Sequence, residues 1–150
     1  MILVPQKSQY ALRAVFELAR QYGRGPVKIA EVARTQVIPL RFLEVILSQL
    51  KQGGFVSSQR GSEGGYFIVR DPHDLTVGEL MRFLQGPLSP VSCLTDDPRS
   101  RCSLYGECVF LAMWEKVRLG ISQVLDNVTF QDLVEQAEQK AGSLMSSYAI

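Results

Sequence analysis

Three cysteines, Cys93, Cys102 and Cys108, fall within one 16-residue stretch of the chain, separated by eight and then five residues. Thiolates are soft donors. A set gathered on one loop can wrap an iron–sulfur cluster, hold zinc, or serve as free regulatory thiols. An odd count argues against a disulfide framework, and the paired C-x-x-C knuckles usual in zinc sites are absent from the sequence. Spacing alone leaves the three readings open. Other chemistry is sparse: the single histidine, His73, is expected as a surface or capping residue. No Ser-His-Asp set, phosphate loop or metal triad can be assembled, so an enzyme is not expected.

The segment carrying the cysteines, residues 86–108, contains prolines, serines, aspartates and arginines without helical or strand periodicity. It reads as a loop, and one of that length inside a compact domain is uncommon unless something functional orders it. Elements with clear periodicity flank it. Upstream, Thr76 with Glu79 three residues on forms a capping-box pattern, which predicts a helix over residues 77–84 ending at Gly86-Pro87. Downstream, Phe110, Met113, Val117, Ile121, Val124 and Val128 recur at steps of three and four, widened by Trp114 and Leu125. A stripe that long, with no later helix of matching size to cover it, points to a homodimer interface. The alternative is that the first helix of the chain covers it within the monomer. Thr129-Phe130-Gln131-Asp132 starts a short last helix through Ala137, and the Ser-rich tail from 141 to 150 is expected to be mobile.

The first half is organised around residues 39–66. Leu40, Leu43, Leu47 and Leu50, with Ile46, line one face of a helix whose first position is Pro39 and whose stop is Gly53-Gly54. The other face carries Arg41, Glu44, Ser48 and Gln49. Two short strands, 55–58 and 66–69, are joined by Gln59-Arg60-Gly61-Ser62-Glu63-Gly64-Gly65, glycine-rich enough for a sharp hairpin and for close backbone approach to a phosphate. Ahead of these lie a helix over 8–22, with Ala11, Val15, Leu18 and Tyr22 on its stripe, and a short helix over 28–34 burying Ile29, Val32 and Ala33. Short helix, turn, amphipathic helix is the helix-turn-helix order. In it, the outward residues Arg41 and Glu44 face base edges in the major groove, while Lys51, Ser58, Gln59, Arg60, Gly61 and Gly64 serve the DNA backbone or minor groove.

Charge agrees with this division. The formal net charge is +1, yet residues 1–72 hold ten Lys or Arg against five Asp or Glu, and the remainder six against ten. A polyanion-binding half is thereby joined to a half with another task. With 46% hydrophobic and 21% charged residues, and no apolar run of membrane-spanning length, a membrane protein is not expected. The opening Met1-Ile2-Leu3-Val4-Pro5 lacks a signal peptide's charged lead, so a cytoplasmic location is expected.

Taken together, Tyr10-Ala11-Leu12-Arg13, Leu43-Glu44, Leu50-Lys51, Gly54-Phe55-Val56, Ser58, Arg60-Gly61, Gly64-Gly65-Tyr66, Thr76-Val77-Gly78-Glu79-Leu80 and the three-cysteine loop resemble the winged-helix regulators that include IscR, NsrR, RirA and CymR. The resemblance reaches both ends of the chain. It implies a mainly α fold with a small β-hairpin wing: a winged helix-turn-helix DNA-binding domain over 1–85, a cluster-binding cysteine loop over 86–108, and a dimerisation helix with a short C-terminal helix over 109–140. It further implies a transcriptional regulator that binds a palindromic operator in double-stranded DNA as a homodimer. The implied cofactor is an iron–sulfur cluster, two-iron preferred over four-iron, that senses iron supply or redox state. A cluster-free regulator responding to thiol oxidation or a partner protein is the alternative. Relatives supply a fourth cluster ligand either as a histidine where this chain has Leu111, or as an acidic residue just before the tyrosine, where it has Ser8-Gln9. That position is open to Glu107, Gln9, solvent or an external thiol.

Overall fold

The computed structural model describes residues 4–149, so Met1, Ile2 and Leu3, which bear on the expected absence of a signal peptide, and Ile150 of the expected tail lie outside it. The chain runs α1 (Gln6–Arg20), α2 (Ile29–Gln36), α3 (Leu40–Gln52), β1 (Val56–Gln59), β2 (Gly65–Ile68), α4 (Val77–Gln85), α5 (Leu111–Asp126) and α6 (Phe130–Tyr148). Short 3₁₀ turns at Pro72–Asp74, Ser92–Leu94 and Pro98–Ser100 interrupt the connections. This is a winged helix-turn-helix. Its core joins Ala11, Val15 and Leu18 of α1, Val32 of α2, Leu43, Ile46, Leu47 and Leu50 of α3, Val56 and Ile68 of the hairpin, and Leu80 of α4. Spacing of three and four residues explains each helical contribution, because it returns side chains to one face.

The boundaries shift from the sequence reading where local chemistry decides them. Pro39 is the cap of α3, not its first residue: its φ of −58° suits proline, but ψ is 130°, and its carbonyl accepts from Phe42 and Leu43. Leu40, placed on the core stripe, is 45% exposed, and Tyr22 lies beyond α1 with its ring in solvent. Of the three residues expected to be buried in α2, Val32 alone is fully so.

In the wing, β1 and β2 pair antiparallel from Val56↔Ile68 to Gln59↔Gly65. A third element, which sequence reading missed, joins them: Val27 exchanges hydrogen bonds of 2.7 and 2.8 Å with Tyr66. Gly65 is obligatory there, since a Cβ would collide with the Val27 carbonyl, and at Gly64 it would collide with the Gln59 carbonyl.

The C-terminal third departs furthest from expectation. The last helix is not short: α6 spans 19 residues, exceeds the 16 of α5, and turns the segment expected as a mobile tail into helix through Tyr148. It does not cover α5. It lies on α1 and on the Pro72–Asp74 turn, with Phe130 and Val134 buried in the winged core. A full capping box starts it: Thr129 Oγ1 accepts from the Asp132 backbone at 3.1 Å and Asp132 Oδ2 from the Thr129 backbone at 2.8 Å. At α4 the same pattern is half made. Thr76 accepts from Glu79 N–H, but the Glu79 carboxylate takes the Arg70 guanidinium at 2.6 and 2.7 Å instead. A backbone bridge, Val77 N–H to Val128 and Phe130 N–H to Leu75, ties α4 and α6 together at their starts.

Candidate nucleic-acid interface and cysteine loop

Every expected base-reading residue of α3 is exposed. Arg41 and Glu44 stand on the outer face with Ser48, and the Arg41 guanidinium stacks on the Phe42 ring at 4.9 Å. Stacking holds a planar fork without consuming its donors. Gln49, expected on the same outer face though not as a base reader, is half-buried, with Oε1 enclosed and without a hydrogen-bond partner among the described residues. At the C-terminal end of α3, Lys51 Nζ donates to Ser58 Oγ at 2.6 Å, which joins the helix to the first wing strand. Gln59, Arg60 and Gly61 form the exposed tip, where Gly61 adopts φ 110°, a conformation side chains resist. Gly64 is buried and fills a packing role in the hairpin.

The presentation of α3 depends on the turn before it. Val37 sits in the left-handed region at φ 53°, ψ 54° with its side chain 80% exposed, an outlier for a β-branched residue. Groups from α1 hold it there. Arg13 donates to the carbonyls of Gln36 and Val37, and Gln36 Nε2 donates at 2.8 Å to the carboxylate of Glu17, itself buried and also bonded to Arg20. Nothing in residue spacing signals this clamp.

Ion pairs among the described residues engage three of the six Lys or Arg beyond residue 72 and two of the ten before it, Arg20 and Arg70. Among the described residues, Arg70 pairs with Glu79, Arg82 with Asp126, Arg99 with Asp97 and Arg118 with Glu115. Those contacts hold the Asp126, Asp97 and Glu115 carboxyls below their ordinary range, hydrogen bonding from the arginine being the leading cause in each. No carboxylate lies within salt-bridge distance of Arg34, Arg41, Lys51 or Arg60 among the described residues. Unpaired positive charge thus lines the helix-turn-helix and wing, while Arg101, Lys116 and Lys140 are the unpaired basic residues beyond α4 among the described residues. Asp71 caps the short turn that holds His73: its Oδ1 accepts from the His73 backbone N–H at 2.9 Å and lies 2.8 Å from the ring Nδ1, a side-chain hydrogen bond that raises the imidazole pKa.

A model of the family described as an iron-dependent transcriptional regulator, Rrf2, matches residues 4–136. The chain belongs to the Rrf2 family. It is 34% identical over 140 residues to the HTH-type transcriptional regulator CymR of Bacillus subtilis, covering 92% of this chain and 95% of that one. It is 31% identical over 132 residues to IscR of Sodalis glossinidius, covering 88% and 78%. The solved structure of T. potens IscR superposes with a TM-score of 0.75 at 34% identity, over 93% of this chain and 90% of that one. This Rrf2 protein is a DNA-binding transcriptional regulator and not an enzyme.

In this Rrf2 chain the cysteine loop leaves α4 at Gly86 and enters α5 at Leu111. Cys93 lies in the first 3₁₀ turn, Cys102 follows the second, and Cys108 precedes α5; all three thiols are free, Cys102 exposed and the other two half-buried. The donor set suits a cluster in kind, three soft thiolates on one segment. Among the described residues, no three Cys, His, Asp or Glu come together at metal-binding spacing. Gln9, a candidate fourth ligand, donates to the Val4 carbonyl at 2.9 Å, and Glu107 points into solvent.

The expected dimer stripe is covered only in part in the single chain, with Leu125 and Val128 packed against the core. Helix α5 buries no residue: Phe110 ahead of it, Met113 and Val124 are exposed, while Val117 and Ile121 are half-buried. Its neighbour is α4, not α1, so the alternative in which the first helix covers it does not hold. No helix among the described residues is long and apolar enough to cross a membrane.

Proposed function

We propose that this Rrf2 regulator binds a palindromic operator as a cytoplasmic homodimer and that its DNA affinity is set at the cysteine loop, through an iron–sulfur cluster on Cys93, Cys102 and Cys108. The observation that carries the DNA-binding part is the exposed, un-neutralised basic face of α3 and the wing. Two such faces related by two-fold symmetry would read half-sites about one helical turn apart. Arg41 and Glu44 would contact base edges, and Lys51, Ser58, Gln59, Arg60 and Gly61 the backbone or minor groove. The partly uncovered apolar side of α5 supports pairing through Phe110, Met113, Val117, Ile121 and Val124.

The sensing part rests on three free thiols on a single loop and on the family's iron-dependent description. A cluster there, two-iron or four-iron, would supply ligation that is lost with iron shortage or oxidation. Cys93, Cys102 and Cys108 would have to converge by rearrangement of residues 92–108. That rearrangement lies between α4 and α5, so the state of the loop would bear on the spacing of the two recognition helices. One observation favours a second reading: the thiols do not converge here, which suits a cluster-free regulator responding to thiol oxidation or a partner protein.

DNA recognition is tested by selecting a preferred duplex from a random pool and titrating variants at several salt concentrations. Arg41→Ala should cost about 1–3 kcal/mol and relax sequence preference, whereas Lys51→Ala should flatten the salt dependence with little change of preference. Unchanged binding by an Arg41→Ala/Arg60→Ala double variant would refute the assignment.

A further inference from the structure

Val45 is an apolar, β-branched residue on the water-facing side of α3. Leu43, Ile46, Leu47 and Leu50 bury one side of α3; on the opposite side Arg41, Val45, Ser48 and Gln52 are exposed, and the helical steps of four, three and four put Val45 in their midst. Its side chain is 60% exposed. A β-branched residue there lowers helix propensity relative to Ala, Gln or Lys and gains nothing from packing. Phe42, one turn back, is occupied differently, since its ring meets Tyr10 and carries the Arg41 guanidinium.

We propose that Val45 is a specificity-determining residue that reads the C5-methyl group of a thymine in the major groove. Building on the DNA-binding reading above, the argument is chemical. Along the major groove the base edges present hydrogen-bond donors and acceptors with one apolar exception, the thymine methyl. Valine offers neither donor nor acceptor. Set between Arg41 and Ser48, it desolvates a polar base edge without compensation and gains contact with a methyl, so it favours an A·T pair at the position it faces. Arg41 and Glu44, polar on the same helix, read neighbouring pairs through hydrogen bonds.

The test uses the duplex that wild type selects from a random pool, remade with deoxyuridine in place of each thymine in turn, which removes the methyl and leaves base pairing unchanged. At one thymine in each half-site, uracil should weaken wild-type binding roughly three- to fivefold, the size of one buried methyl. Val45→Ala, with alanine a strong helix former at an exposed site, should clearly shrink the difference between the thymine and uracil duplexes, since it removes two of the three apolar side-chain carbons. If no uracil affects wild type, or if Val45→Ala keeps the full penalty, the methyl is not read by Val45 and the inference is overturned while DNA binding stands. A pool that yields no preferred duplex overturns the DNA-binding reading, and this inference with it.

Discussion

Arg82 carries the link between the long helix and the winged core. Its guanidinium grips the Asp126 carboxylate at 2.5 and 2.8 Å and reaches Ser122, so α4 holds the far end of α5. Gly78 makes room for that grip, since a Cβ on it would strike Asp126 Oδ1. This explains a glycine in the first turn of α4. The pair is about two-fifths exposed on each side, and solvent screening keeps its worth to about 0.5 kcal/mol. Because Arg82 lowers the folded-state pKa of Asp126, the stabilisation is present above the ordinary carboxylate pKa and is lost as pH falls through the folded value. Arg82→Ala should therefore lower the urea midpoint at pH 7, and the difference from wild type should vanish below the carboxylate range. A difference that is constant with pH would mean that Arg82 acts through packing.

Among the elements, α1 to α4 and the hairpin were legible because local signals sufficed: the Leu43–Ile46–Leu47–Leu50 stripe, the wing glycines and the Thr76 cap each specify an element from its own residues. The Val27 bridge to Tyr66 and the Arg13–Glu17 clamp on the Gln36–Val37 turn join residues far apart in sequence, and periodicity carries no information about such partners. Helix α6 was misjudged for a related reason. Gly142 and the serines beyond it weaken intrinsic propensity, yet the capping box and the burial of Phe130 fix the start, and the helix continues from that anchor. Val45 carries no periodic signal, because it lies outside the apolar stripe of α3. The expectation for α5 has its own test. Val124 is 62% exposed in the single chain, so Val124→Glu leaves the monomer's packing intact but would bury a carboxylate in the proposed pairing face. The variant should sediment as a monomer with unchanged helical circular dichroism, and a stable dimer would place the interface elsewhere.

At the scale of the molecule, a free basic face and a free thiol loop lie on opposite sides of α4 in the sequence, and the account joins them by linkage. If ordering of the loop favours one spacing of the paired α3 helices, a tenfold change in DNA affinity needs about 1.4 kcal/mol of differential binding. The cysteines were legible as a set, and their separation in this conformation was not, because 3₁₀ turns at Ser92–Leu94 and Pro98–Ser100 fold the loop in a way that spacing does not encode. The direct test is anaerobic purification of wild type and of Cys93→Ala, Cys102→Ala and Cys108→Ala, with iron content, absorbance and affinity for the selected duplex measured on each, before and after iron removal. Iron and visible absorbance are expected in wild type and lost in every variant, with a roughly tenfold affinity difference between iron-loaded and iron-free wild type that the variants do not show. Four iron-free proteins that bind the duplex alike would contradict cluster sensing.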